Sequence, residues 1–259
     1  MTPVGEKGAA VAMDRAIRVL AAISEVARAE GVRVAVHHVC LACAAVVQAS
    51  GVGLYLRGEL GLCEPLYVST AVSEQVAELQ VMLGEGPSTE ALRHDHPVLV
   101  PALGSAASVL RWPSFAPAAV AVGVSAVFAF PMVMGAISVG ALEIHRDREG
   151  TLSTDELAEA LLFTDAALPR ILDHLSGPDT VDGPDVPSGG FEHRWAVVHQ
   201  ATGMISVQLG SDLTAALLRL RAHAYLNDRR LSQVASDVVE RRLRFDPDTD
   251  DADAAGSGG

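Results

Sequence analysis

The sequence predicts an α+β domain, an antiparallel sheet flanked by helices, followed by an all-α domain of three short helices. Three observations carry that reading. Between residues 12 and 175 the periodicity runs helix, strands, helix, strands, helix, the order of a layered α+β fold. The stretch SGPDTVDGPDVPSGG at 176–190 is rich in Gly, Pro and Asp and nearly free of apolar residues, so it reads as a flexible linker. Beyond it, residues 191–245 carry three helical stripes in a length that gives only a small core.

Each element has its own justification. AMDRAIRVLAAISEVARAE (12–30) spaces Ile17, Leu20, Ala21 and Ile23 between charges, an amphipathic helix that Gly31 ends. Residues 32–49 follow as a second, more buried helix. GVGLYLR (51–57) and PLYVST (65–70) form a strand pair about the turn at Gly58–Gly61. SEQVAELQVML opens a helix with Ser73 as N-cap, and GEGPSTEAL is a broken loop entering a helix capped by Ser88. HDH (His94, Asp95, His96) is an exposed turn before the strand HPVLV. A loop carrying Trp112 leads to SAVFAFPMV and AISVGALEIH, two β-rich runs about a tight turn at Met134–Gly135. TLSTDELAEALLFTDAALPRIL closes the domain as a helix capped near Ser153.

One segment tests the choice of class. Pro113 to Leu142 contains no charged residue and is long enough to span a bilayer. Much of it is Ala, Gly and Ser, however, and Pro131 and Gly135 break it. A buried hairpin is expected, not a membrane helix.

Past the linker, FEHRWAVVHQATGMISVQLG is a helix stopped by Gly210. SDLTAALLRLRAHAYLN sets Leu213, Ala216, Leu217, Leu220 and Ala224 on one stripe, and LSQVASDVVERRL does the same with Leu231, Val234, Ala235 and Val238. The tail DPDTDDADAAGSGG (246–259) has almost nothing to bury and is expected to be disordered.

Charge is unevenly spread. The chain carries a formal −13, yet residues 191–245 hold eight arginines against five acids, and the acidic tail adds five acids with no base. Residues 1–190 are left at −11. A local basic block in an acidic chain suits a polyanionic partner or, equally, a solvated charged face. Three cysteines are too few for a disulfide scaffold and fit a reducing cytoplasm, and the N-terminus shows no secretory pattern. HHVCLAC, with His37, His38, Cys40 and Cys43, invites a metal reading. Spacing of three drifts around a helix and no second ligand pair follows, so buried residues are expected, with no metal and no cofactor. GEGPSTEAL lacks the Lys–Ser/Thr ending of a phosphate loop. No Ser–His–Asp or paired-carboxylate set marks catalysis, so no enzyme is expected.

Two blocks resemble known families. LGEGPSTEAL, HPVLVPAL, WPSFAPAAVAVGVSAVFAFPM and GAISVGALEIHRDREGTLS look like a GAF sensor domain of the actinobacterial type. QATGMISVQLG with AALLRLRAHAYLNDRRLSQVASDVVERRL closely resembles an ANTAR domain; Thr202 stands where many members have a lysine. The resemblance implies a GAF-like domain over 12–175 that takes an unknown small-molecule or protein signal. It implies an ANTAR-like domain over 191–245 that binds RNA stem-loops in nascent transcripts and prevents transcription termination.

The residues suit that role. Arg219, Arg221, His223 and Tyr225 flank the stripe of the second helix, Arg229 and Arg230 sit in the next connection, and Arg241, Arg242 and Arg244 end the third helix. Arginine pairs with phosphate and tyrosine stacks on a splayed base. A DNA-binding regulator and a dimerising interaction module remain open as alternatives. Trp195, Val198, Thr202 and Ile205 share one side of the first helix, a stripe expected to be exposed and to pair in a homodimer.

Overall fold

The structure, a computed structural model, describes residues 4–58, 63–135, 137–176 and 191–246. It divides into two compact units, residues 1–189 and 190–259. The turn residues 59–62, the linker from 177 to 190 and the tail from 247 lie outside the described residues.

The first unit opens with two helices, α1 (Val4–Glu30) and α2 (Val36–Val46). α1 starts eight residues before the predicted position. Strands β1 (Gly51–Arg57) and β2 (Cys63–Val68) follow, then α3 (Ala71–Leu83), α4 (Pro87–His94) and β3 (Val98–Val100). The expected Trp112 loop contains two short helices, α5 (Ala106–Arg111) and α6 (Phe115–Ala121), with buried Trp112 between them. β4 (Ala126–Met134), β5 (Ile137–Arg146) and α7 (Thr154–Ser176) complete the unit.

Five strands make one antiparallel sheet in the order β2-β1-β5-β4-β3. The charge-free segment is the β4–β5 hairpin with α6 before it. Its lack of charge follows from burial on two faces. Along β4, Phe128, Phe130 and Met132 join Val52, Leu54, Leu142 and Ile144 in a core against α1, α2 and α7. Val127 and Ala129 face the other way, into a core with Val76, Leu103, Trp112 and Phe115. Pro131 is tolerated because the β3 ladder ends at Ala129, so that its missing N–H falls where β4 has lost that neighbour. No helix among the described residues is long and apolar enough to cross a membrane.

Two caps differ from expectation. Thr70, not Ser73, caps α3, its hydroxyl accepting from the Ser73 N–H at 3.1 Å. Gly86 stands at the N-cap of α4, and Ser88 lies inside the first turn, facing the sheet. Both serines are released for other bonds. Ser153 caps α7 as predicted, in a reciprocal pair with Glu156.

The second unit contains α8 (Phe191–Leu209), α9 (Leu213–Leu226) and α10 (Leu231–Val239). Asp212 caps α9 by accepting from the Ala215 N–H at 2.7 Å. Ala216, Leu217, Leu220 and Ala224 of α9 are buried, with Leu231, Val234, Ala235 and Val238 of α10, while Leu213 is exposed. α8 packs on α9 and α10. That packing corrects the expected dimer stripe: Trp195, Val198, Thr202 and Ile205 are all buried in the single chain. Three short helices can form a core only by turning these faces inward. Thr202 even spends its hydroxyl on the Val198 carbonyl, at 2.8 Å.

Candidate functional site

The basic block resolves into held and unheld arginines. Arg229, in the α9–α10 connection, donates to Asp237 Oδ2 at 2.6 Å. Arg242, past the end of α10, donates to Asp237 Oδ1 at 2.7 Å. One carboxylate of α10 therefore brings together two arginines that are thirteen positions apart in sequence. Their hydrogen bonds hold the Asp237 carboxyl below its ordinary range. Arg244 lies 3.4 Å from Asp246, the first acid of the tail. Arg230 and Arg241 are exposed, and among the described residues no ion pair engages either.

On α9, Tyr225 is 56% exposed, its ring available at the surface. Arg221 is half-buried, and burial lowers its pKa; Arg219 is also half-buried. His223 meets the Phe245 ring edge-on at 5.4 Å, which ties the chain after α10 back to α9. Burial and then Arg229 lower the His223 pKa, so it is a neutral partner at physiological pH. The sequence found the arginines but missed Asp237, which decides how many of them are free. Its only signal was a lone acid in a helix followed by basic residues.

Asp237→Asn should release Arg229, while Arg242 keeps its ion pair with Glu240, and should tighten binding of a polyanion at low salt by a few-fold. A filter-binding titration at 50 mM salt checks this as an expected outcome; weaker binding would mean that Asp237 positions the arginines instead.

A second site was missed altogether. Glu143 of β5 is fully buried and accepts from three side chains: Tyr55 Oη at 3.1 Å, Gln80 Nε2 at 2.8 Å and Ser88 Oγ at 2.5 Å. Gln80 Oε1 also accepts from the Ser88 N–H at 2.8 Å. Strand alternation puts Tyr55, Glu143 and His145 on the face covered by α3 and α4, and the displaced serines reach down to them. Ser73 Oγ lies 2.8 Å from His145 Nε2. Gly51 and Gly53 stand opposite His145 and Glu143 in the sheet. A Cβ at Gly51 would come within 2.3 Å of His145 and of Ser73, so the absent side chain makes room for this pair. Burial raises the Glu143 pKa against the pull of its three donors.

His145 is the titrating counterpart. Burial depresses its pKa from 6.5 to about 4. The folded state thus binds this proton less readily than the unfolded chain, and the contribution is fully present above pH 6.5. It falls away as pH drops from 6.5 towards 4, by up to about 3 kcal/mol. Glu143, whose pKa burial raises, acts in the opposite sense, adding stability as pH falls. The difference between wild type and His145→Gln in urea unfolding at pH 7 and pH 4.5 isolates the histidine. The variant should lose less stability on acidification; an equal loss would contradict a neutral buried His145.

The HHVCLAC cluster is buried as expected. Glu30 Oε2 lies 3.2 Å from His37 Nε2 and 3.1 Å from His38 Nε2, two imidazoles and a carboxylate converging. His38 Nδ1 accepts from the Ala35 N–H at 2.8 Å, so Nε2 carries the proton and donates it to Glu30. A cation on that Nε2 would displace this proton. The donor set suits a hydrogen-bonded clamp between α1 and α2, which lowers the Glu30 pKa chiefly through His37.

No protein-family model matches the sequence, and no curated protein matches it. Among solved structures the chain is similar to the GAF domain from an Acinetobacter phosphoenolpyruvate-protein phosphotransferase, at 12% identity and TM-score 0.46, covering 64% of this chain and 96% of that one. It is similar to the GAF domain of the Coxiella burnetii phosphoenolpyruvate-protein phosphotransferase at 12% identity and TM-score 0.45, covering 62% and 96%. A GAF domain/HD domain protein from Geobacter sulfurreducens gives 20% identity and TM-score 0.42, covering 54% and 92%.

Proposed function

We propose that this protein is a cytoplasmic, signal-responsive regulator without catalytic activity or cofactor. Residues 12–175 act as a GAF-like sensor for a small-molecule or protein signal. Residues 191–245 act as an ANTAR-like domain that binds RNA stem-loops in nascent transcripts and prevents transcription termination. The observation that carries the reading is the arrangement on α9 and α10. Exposed Tyr225, unengaged Arg230 and Arg241, and the Asp237-bridged Arg229 and Arg242 occupy one small basic unit of an acidic chain. Cations there would hold phosphates, and the tyrosine would stack on a loop base.

A second reading, a protein-interaction module, draws on the exposure of Val207, Leu218 and Leu226 in the same unit. Crosslinking in cells followed by sequencing of the bound RNA separates the two. Stem-loops preceding terminators should be enriched, and the enrichment should fall with Tyr225→Ala. Absence of bound RNA would favour the interaction module.

A further inference from the structure

We infer that a cleft at the C-terminal end of α1 binds a small phosphorylated molecule through three arginines. Gly31 follows α1 in the left-handed conformation, at φ +73°, and the Val32 N–H returns to the Ala27 carbonyl at 3.1 Å. That turn brings Arg33 into the lining of the same cleft as Arg28. α7 packs on α1 and adds Arg170. The cleft measures about 570 Å³, within the ~300–1,000 Å³ that small-molecule sites occupy. A Cβ built on Gly31 would meet nothing within 4 Å, so the space at the turn is open. The rest of the lining is mostly apolar: Ala27 is buried, and Val32 and Val34 are half-buried. α1 and α7 cover the sheet face opposite the Glu143 network, so this site is separate from it.

The arginines are available to a ligand. Arg28 suits the negative end of the α1 dipole, but Arg33 lies beyond that helix and Arg170 belongs to another. Arg28 pairs with Glu25, and Arg170 with Asp173 at 3.1 Å, each three residues away on its own helix and exposed to solvent. Such pairs contribute little in water and exchange readily for a stronger partner. Arg33 is exposed, and among the described residues no ion pair engages it.

Charge selects the ligand. Residues 1–190 hold 11 bases against 22 acids, yet three of those bases and no acid line this cleft. A guanidinium fork takes two oxygens of one phosphate, and a diphosphate presents enough oxygens for all three arginines. A long polyanion would meet the surrounding acids, whereas a small one feels chiefly the charges within a Debye length. The apolar lining suits an organic group attached to the phosphates.

As a signal site the cleft rests on the sensing reading above; its binding is measured apart from RNA recognition, so either can fail alone. Calorimetric titration of the full chain at 50 mM salt should show saturable binding of inorganic pyrophosphate, and tighter binding of ADP. Arg33→Ala should weaken both about ten-fold, and Arg28→Ala, Arg33→Ala and Arg170→Ala together at least about a hundred-fold, with the thermal unfolding transition retained. Arg148→Ala, which removes an exposed base of the same unit outside the cleft, should leave both affinities unchanged. ADP should also protect Arg28, Arg33 and Arg170 from phenylglyoxal, read by peptide mass mapping. Citrate, a polycarboxylate, should bind more weakly than either phosphate probe. Absence of saturable binding of both phosphate probes, binding that survives the triple substitution, an Arg148→Ala loss equal to that of Arg33→Ala, or tighter binding of citrate would each overturn the proposal.

Discussion

Glu143→Ala should destabilise the first unit by about 3–5 kcal/mol, the cost of breaking a buried, hydrogen-bonded charge network from one side. The substitution leaves Tyr55, Gln80 and Ser88 with donors aimed at an empty, buried space. Glu143→Gln separates charge from shape. Its amide oxygen can still accept from Gln80 and Ser88, while its NH2 group can donate to the Tyr55 oxygen. It also imitates the protonated acid that burial favours. The glutamine variant should therefore stay within about 1 kcal/mol of wild type near neutral pH. Urea unfolding at pH 7 measures both. Equal, large losses would mean that the ionised carboxylate is required; two small losses would mean that the network contributes little to stability.

Consequences for sensing follow from position. The Gly86–Ser88 turn that opens α4 is bonded to the network through Gln80 and Glu143. Any signal that moved α4 would have to break these bonds, which links the proposed sensing to the chemistry of Glu143.

What the sequence revealed, and what it hid, has a physical pattern. Periodicity located the hairpin and the long helices because their faces alternate against a core. The α8 stripe had the same periodicity, but periodicity reports an apolar face without saying what covers it; α9 and α10 do. The reverse happened at α1, where Ile17 and Leu20 read as part of the apolar stripe and are exposed. Ser73 and Ser88 resembled caps because capping is a local rule, whereas their actual partners, His145 and Glu143, are 72 and 55 residues away. A charged residue two positions from a histidine within an otherwise apolar strand, GALEIH, was the available signal for that network. Likewise, counting arginines along the chain did not reveal that Asp237 already holds two of them.

For the basic unit, Tyr225→Ala should weaken stem-loop binding by about 1–3 kcal/mol, the range for a base stacked on an aromatic ring. It should alter loop preference and leave the salt slope in place. Arg230→Ala with Arg241→Ala should do the opposite. Each removed phosphate contact lowers the slope of log affinity against log salt by roughly 0.7–0.9, while the preferred loop stays the same. Arg229→Ala and Arg242→Ala should cost less individually, since Asp237 already neutralises part of each. Removal of the tail after Asp246, which contributes four further aspartates, should tighten binding at low salt.

The most direct test of RNA recognition is a titration of the full chain with a labelled RNA stem-loop and with duplex DNA of equal length, across a salt series. The account predicts tighter binding to the stem-loop at every salt concentration, with affinity falling steeply as salt rises. Equal or tighter binding to the duplex, or no binding to either nucleic acid, would contradict it.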